Sequence, residues 1–283
     1  MSDDLRWHLL ISKSYELKIA KAFRLLRSHN IEPILIKGWA AARNYPTDVP
    51  RYFSDIDLAV SPSDYPAALK LINSNEFGGL GIDLHEGLRH LDTNSWERLF
   101  EDSQIKEIDG TAIRILSSED HFRVLCVHWL NDGGAYRERL WDIYYAVANR
   151  PPEFDWDKCL NVVSETRRRW IVCAIGLAHR YLELDINGLP FAEEAEQLPD
   201  WLIKTVEKEW MSDVRLRPLQ TCLREPRELI RQIRKRFPPN PIQATIEVEG
   251  EFDNRTRAFY QFHDLFKRSV PSIRRITSVL FRK

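Results

Sequence analysis

The chain has 283 residues, with 41 Lys and Arg against 42 Asp and Glu, a net charge of −1, and 43% hydrophobic residues. That composition excludes a disordered polyelectrolyte and a uniformly basic nucleic-acid coat. No apolar run approaches the ~18 residues that a membrane-spanning helix needs, so no span is expected.

The chain begins Met-Ser-Asp-Asp, whereas a secretory signal needs a basic start and an unbroken apolar run; the expected address is cytoplasmic. Apolar residues recur at helical spacing over 5–28, and His29-Asn30 stops that helix before Pro33. Residues 33–36 read as a short buried strand ending in Lys37-Gly38. A short helix over 39–45 and a proline-bearing loop over 45–52 follow. A second strand spans 55–60, with Ile56, Leu58 and Val60 facing one way and Asp55, Asp57 and Ala59 the other. A helix over 63–75 leads to a third strand near 81–86. Residues 107–111 read as a hairpin with a type I′ turn at Asp109-Gly110.

From 117 the texture is helical. Ser117-Ser118-Glu119-Asp120 has a cap-like signature and opens a helix to about Leu130. Asp132-Gly133-Gly134 breaks it, a further helix covers 136–149, and the helical pattern continues to about Glu209. Prolines at 238, 239 and 241 punctuate the basic end. The predicted organisation is therefore an α/β part over 1–116 and a helical part over 117–283. Cys126, Cys159, Cys173 and Cys222 form no Cys-x-x-Cys pair, which predicts buried, reduced thiols.

The chemistry concentrates at Asp55-Ile56-Asp57. On a strand these two carboxylates leave the same face about 7 Å apart. Like charges so placed resist burial unless a cation lies between them. Oxygen ligands of this kind suit Mg²⁺, which completes its shell with water and substrate phosphates. Ile82-Asp83-Leu84-His85 supplies a third carboxylate, with Asp83 and His85 on one face between apolar residues.

Lys-Gly after an apolar strand, Arg51 shortly before Asp-Ile-Asp-Leu-x-Val, and Ile-Asp-Leu-His together resemble the bacterial nucleotidyltransferases of the polymerase-β-type superfamily. The nearest likeness is to the branch described as uncharacterised nucleotidyltransferase. Ser118-Glu119-Asp120-His121 through His128 to Leu140-Trp141-Asp142-Ile143 also resembles that branch, and the likeness runs over about residues 30–150. It implies an α+β fold: a mixed sheet with flanking helices, then a mainly α-helical C-terminal lobe on the acceptor side. It implies that Asp55, Asp57 and Asp83 hold Mg²⁺ or Mn²⁺ and act in transferring a nucleoside monophosphate from a nucleoside triphosphate. It further implies that Lys37, Gly38, Arg51 and His85 contact the nucleotide. Where the superfamily usually has Gly-Ser or Gly-Gly, Trp39 follows Gly38, so Lys37 or Arg51 takes over that phosphate contact.

His128 and Asp142 either position the acceptor or form a hydrogen-bonded pair joining two helices. The acceptor is a small molecule, a peptide, a protein or an RNA end. After residue 203 the chain holds 18 of the Lys and Arg and 10 of the Asp and Glu. That bias fits either a nucleic-acid partner or a lobe attracted to the acidic remainder. The rival readings are a non-catalytic nucleotide- or partner-binding module that kept the fold, and a toxin-like transferase acting on tRNA or protein. His85 to His90 imitates a zinc-protease helix, but its histidines are too far apart to share a face. The segment 258–281 mixes aromatic residues with Arg and reads as a core cap, a partner-binding element or a membrane-surface helix.

Overall fold

Helix α1 (Asp3–Ser28) buries Ile19, Ala22, Phe23 and Leu26, the inward positions of the helical pattern. It stops at Asn30, whose φ of 60° lies in the left-handed region that asparagine tolerates. The computed structural model describes residues 3–88, 93–217, 219–222 and 224–267. His90 and residues 268–281 of the C-terminal aromatic segment lie outside the described residues.

Five strands follow: β1 (Ile34–Leu35), β2 (Ile56–Val60), β3 (Ile82–Glu86), β4 (Gln104–Ile108) and β5 (Thr111–Ile115). They form one sheet in the order β3-β2-β1-β5-β4. β2 runs parallel to β3 and β1 parallel to β5, whereas β1–β2 and β4–β5 are antiparallel. The sheet is therefore mixed. Asp109 and Gly110 have φ of 51° and 66°, as the type I′ hairpin between β4 and β5 requires.

Alternation along the strands divides the sheet into two faces. Leu35, Ile56, Leu58, Val60, Ile113 and Ile115 pack in one cluster with α1 and with Ala68 of α3 (Tyr65–Ile72). Ile34, Ile36 and Ala59 pack in another with Leu116 and with Leu99 of α4 (Trp96–Glu101). Burial of each such aliphatic side chain contributes about 1.5–3 kcal/mol. The polar residues at 57, 83 and 85 thus leave the sheet on the face of Ala59, next to a smaller apolar cluster.

The chain forms two compact units, one from residues 1–125 and 142–163, the other from 126–141 and 164–283. In the first, Arg123 of α5 (Ser118–Asn131) is buried against Asp120 and donates to the carbonyls of Lys158 and Cys159 at 2.9 and 3.0 Å. Those carbonyls belong to α7 (Trp156–Leu160). The second unit is helical and centres on α8 (Glu165–Leu182), which is buried from Trp170 to Ala178. The same unit holds α9 (Ala192–Glu196), α10 (Asp200–Trp210), α11 (Pro226–Arg236) and α12 (Pro241–Glu247). All four cysteines are buried thiols outside any disulfide. Among the described residues no helix is long and apolar enough to cross a membrane.

Candidate functional site

Parallel pairing of β2 with β3 sets Asp57 opposite Asp83 and Ala59 opposite His85. Because side chains alternate, Asp57, Asp83 and His85 project from one face of adjacent strands. One ligand atom of each can lie within 4.8 Å of the others, a grouping that could hold a metal ion. Asp57 is buried, Asp83 is exposed and His85 lies between these extremes. Two carboxylates and an imidazole are a suitable donor set for a divalent metal ion.

A cation already faces the buried member. Lys37 Nζ lies 2.6 Å from Asp57 Oδ1, with both side chains largely buried. His85 Nε2 stands 3.3 Å from the same oxygen and 3.4 Å from Asp83 Oδ2. Burial alone would raise the Asp57 carboxyl, but the His85 hydrogen bond and the Lys37 charge outweigh it and hold the group below its usual range. The backbone fixes this geometry. Ile36 N–H donates to the Asp57 carbonyl at 3.1 Å, which continues the β1–β2 pairing up to Lys37. Gly38 then turns the chain with φ 59° and ψ −110°, a conformation closed to residues with a Cβ.

Asp55 lies one residue before β2, exposed, and is not in the compact set. Helix α2 (Trp39–Ala42) is a single turn, shorter than the pattern over 39–45 predicts. Trp39 packs against the larger core cluster and donates from Nε1 to Glu16 of α1 at 3.2 Å. The indole after Gly38 is therefore a packing residue.

Arg51 is held by Asp142 of α6 (Leu140–Ala148). Its Nε and Nη2 donate to the two Asp142 oxygens at 2.9 and 2.8 Å, and Tyr45 O–H donates to Oδ1 at 2.6 Å. Burial lowers the Arg51 guanidinium, yet Asp142 more than offsets this and the net direction is upward. The same carboxylate and burial push the Tyr45 hydroxyl well up. The fork that the sequence offers to phosphate is directed at Asp142. His128 belongs to the other unit, where its Nε2 stands 3.2 Å from Arg139 Nη1 and 3.7 Å from Asp132 Oδ2.

Sequence reasoning named Lys37, Asp57, Asp83 and His85 as candidate site residues, but not that Lys37 would rest on Asp57. The partnership of Arg51 with Asp142 was also missed. Only the chain return through α6 joins them, and no local spacing signals it.

A five-stranded mixed sheet with flanking helices, paired carboxylates on adjacent strands and a helical C-terminal part is an α+β nucleotidyltransferase fold. The chain belongs to the uncharacterised nucleotidyltransferase family, whose model matches residues 11–183. No curated protein and no solved structure matches the chain.

Proposed function

We propose that this protein is a metal-dependent nucleotidyltransferase that moves a nucleoside monophosphate from a nucleoside triphosphate to an acceptor hydroxyl. The observation that carries the reading is the grouping of Asp57, Asp83 and His85 on one face of β2 and β3, in a chain of this family. These three residues would hold Mg²⁺ or Mn²⁺, and Asp55 offers a further carboxylate at the exposed start of the strand. A divalent ion bound there neutralises phosphate charge and acidifies the acceptor hydroxyl. Lys37 contributes a positive charge to the phosphates, and Gly38 lets the backbone approach them. Asp83, the exposed carboxylate, takes the acceptor's proton. The acceptor oxygen bonds to the α-phosphorus, the bond from that phosphorus to the bridging oxygen breaks, and pyrophosphate leaves.

Arg51, clamped by Asp142, to which Tyr45 also donates, sets the loop that delivers β2, and its charge reaches Asp57. The acceptor is recognised by the helical part, to which His128 belongs. One observation there favours an anionic polymer such as RNA: a cleft of about 910 Å³ flanked by Lys204, Lys208, Arg234 and Arg255.

Calorimetric titration with each of the four nucleoside triphosphates, with and without Mg²⁺, tests the reading. The expected result is binding of at least one nucleotide that needs Mg²⁺ and is lost in Asp57→Asn. Absence of binding by the intact protein in Mg²⁺ would sink it.

A further inference from the structure

Asp57 Oδ1 is the meeting point of the site. Asp57 belongs to the group that can hold a divalent ion, and Lys37 Nζ already rests on its Oδ1 at 2.6 Å. An ammonium and a divalent ion on one carboxylate repel each other strongly in a setting where solvent screens little. Among the described residues Lys37 is also the ammonium paired with this carboxylate, and His85 lies farther away, at 3.3 Å. A buried carboxylate without such a partner is costly.

We infer that Lys37 is a resident counter-cation that a divalent metal must displace, and that the displaced ammonium is then handed to the phosphates of the incoming nucleotide. The inference rests on the metal site proposed above and adds a coupling rule to it. Lys37 opposes metal binding when no anion is present. When a polyphosphate arrives, the ammonium gains a new partner and the opposition disappears. Metal and polyphosphate therefore bind with positive cooperativity, and by linkage each strengthens the other equally.

The backbone makes the exchange local. Lys37 lies between the last β1–β2 hydrogen bond and the Gly38 turn, so its main chain is fixed and the side-chain torsions must supply the movement. A lysine suits this task, as a point charge on a flexible stem. Arg51 is unsuited to it, because two of its three guanidinium nitrogens are bound to Asp142.

The test is Mn²⁺ binding to the full chain, followed by the spin signal of free Mn²⁺, in the intact protein and in Lys37→Met. Inorganic triphosphate serves as the anion, with its own Mn²⁺ complex subtracted. Lys37→Met should bind Mn²⁺ alone about tenfold more tightly than the intact protein, within the usual span of coupling between two ligands. Triphosphate should tighten Mn²⁺ binding in the intact protein and have little effect in the variant. Because Lys37→Met uncovers a buried carboxylate, its melting temperature is measured as well. It should fall without metal and recover with Mn²⁺ by more than the intact protein gains. Equal or weaker Mn²⁺ affinity in Lys37→Met, with Asp57→Asn abolishing binding in both, would overturn the counter-cation while leaving the metal site standing. No Mn²⁺ binding to either protein would overturn both.

Discussion

His121 of α5 is buried, and its Nε2 has no hydrogen-bond partner. Burial drives its pKa down to about 4; the Asp142 charge opposes this, while Arg43 and Arg51 reinforce it. The folded state therefore holds the imidazole neutral, and the unfolded chain takes up a proton first as pH falls. Stability is fully present above the unfolded value of 6.5 and is lost as pH drops from there toward 4. A shift of this size corresponds to about 3 kcal/mol over the window. Urea unfolding at pH 7 and pH 4.5 should show that loss, and His121→Phe should flatten it. The difference between the two proteins separates His121 from carboxylates that titrate nearby. An unchanged slope in His121→Phe would remove His121 from the account.

At the scale of elements, the steric demand is sharpest in the helical unit. Gly176 lies within α8, and a Cβ added there would stand 2.0 Å from the carbonyl oxygen of Ala195 in α9. That atom is backbone and cannot swing aside. Gly176→Ala gains about 1 kcal/mol of helix propensity, and the clash costs more than this. The expected outcome is a net loss above about 2 kcal/mol in chemical denaturation, and a stability equal to the parent would refute the close approach. The element pattern itself was legible wherever alternation or helical period ran long enough. Strand β2 shows its two faces in Ile56, Leu58 and Val60 against Asp57 and Ala59, and the Asp109-Gly110 turn announces its hairpin. Helix α4 escaped because its six residues are too few for a period; only Ser95, accepting from Arg98 N–H, marks its start. Pro241 read as a break, but it opens α12 behind the Asn240 cap, where a missing N–H costs nothing. In the site, Asp57, Asp83 and His85 were legible because strand alternation fixes their face. The pairs Lys37–Asp57 and Arg51–Asp142 were not, since tertiary return of the chain creates them.

For the whole molecule the question is what the uneven charge does. The cleft between α10, α11 and residues 254–261 lies entirely in the helical unit. Lys208 and Arg234 at its edge have no ion-pair partner among the described residues. Lys204 reaches Asp200 only at 3.9 Å, and both are exposed; Arg255 lies 3.3 Å from Asp253. Exposed pairs of this kind are weak and leave their cations available to a stronger anion. Phe237, 59% exposed, adds a ring on which a base can stack. If the acceptor is RNA, a fluorescent single-stranded oligonucleotide should bind with affinity that falls steeply with salt. Four engaged cations give a logarithmic slope of about −3, and Lys208→Glu with Arg234→Glu should remove roughly half of it and weaken binding at least about tenfold. Asp57→Asn should leave this binding intact, because the substitution lies in the other unit. Salt-insensitive binding, or full affinity in the double variant, would turn the acceptor search toward small molecules and proteins, with the basic residues left as a solvated surface.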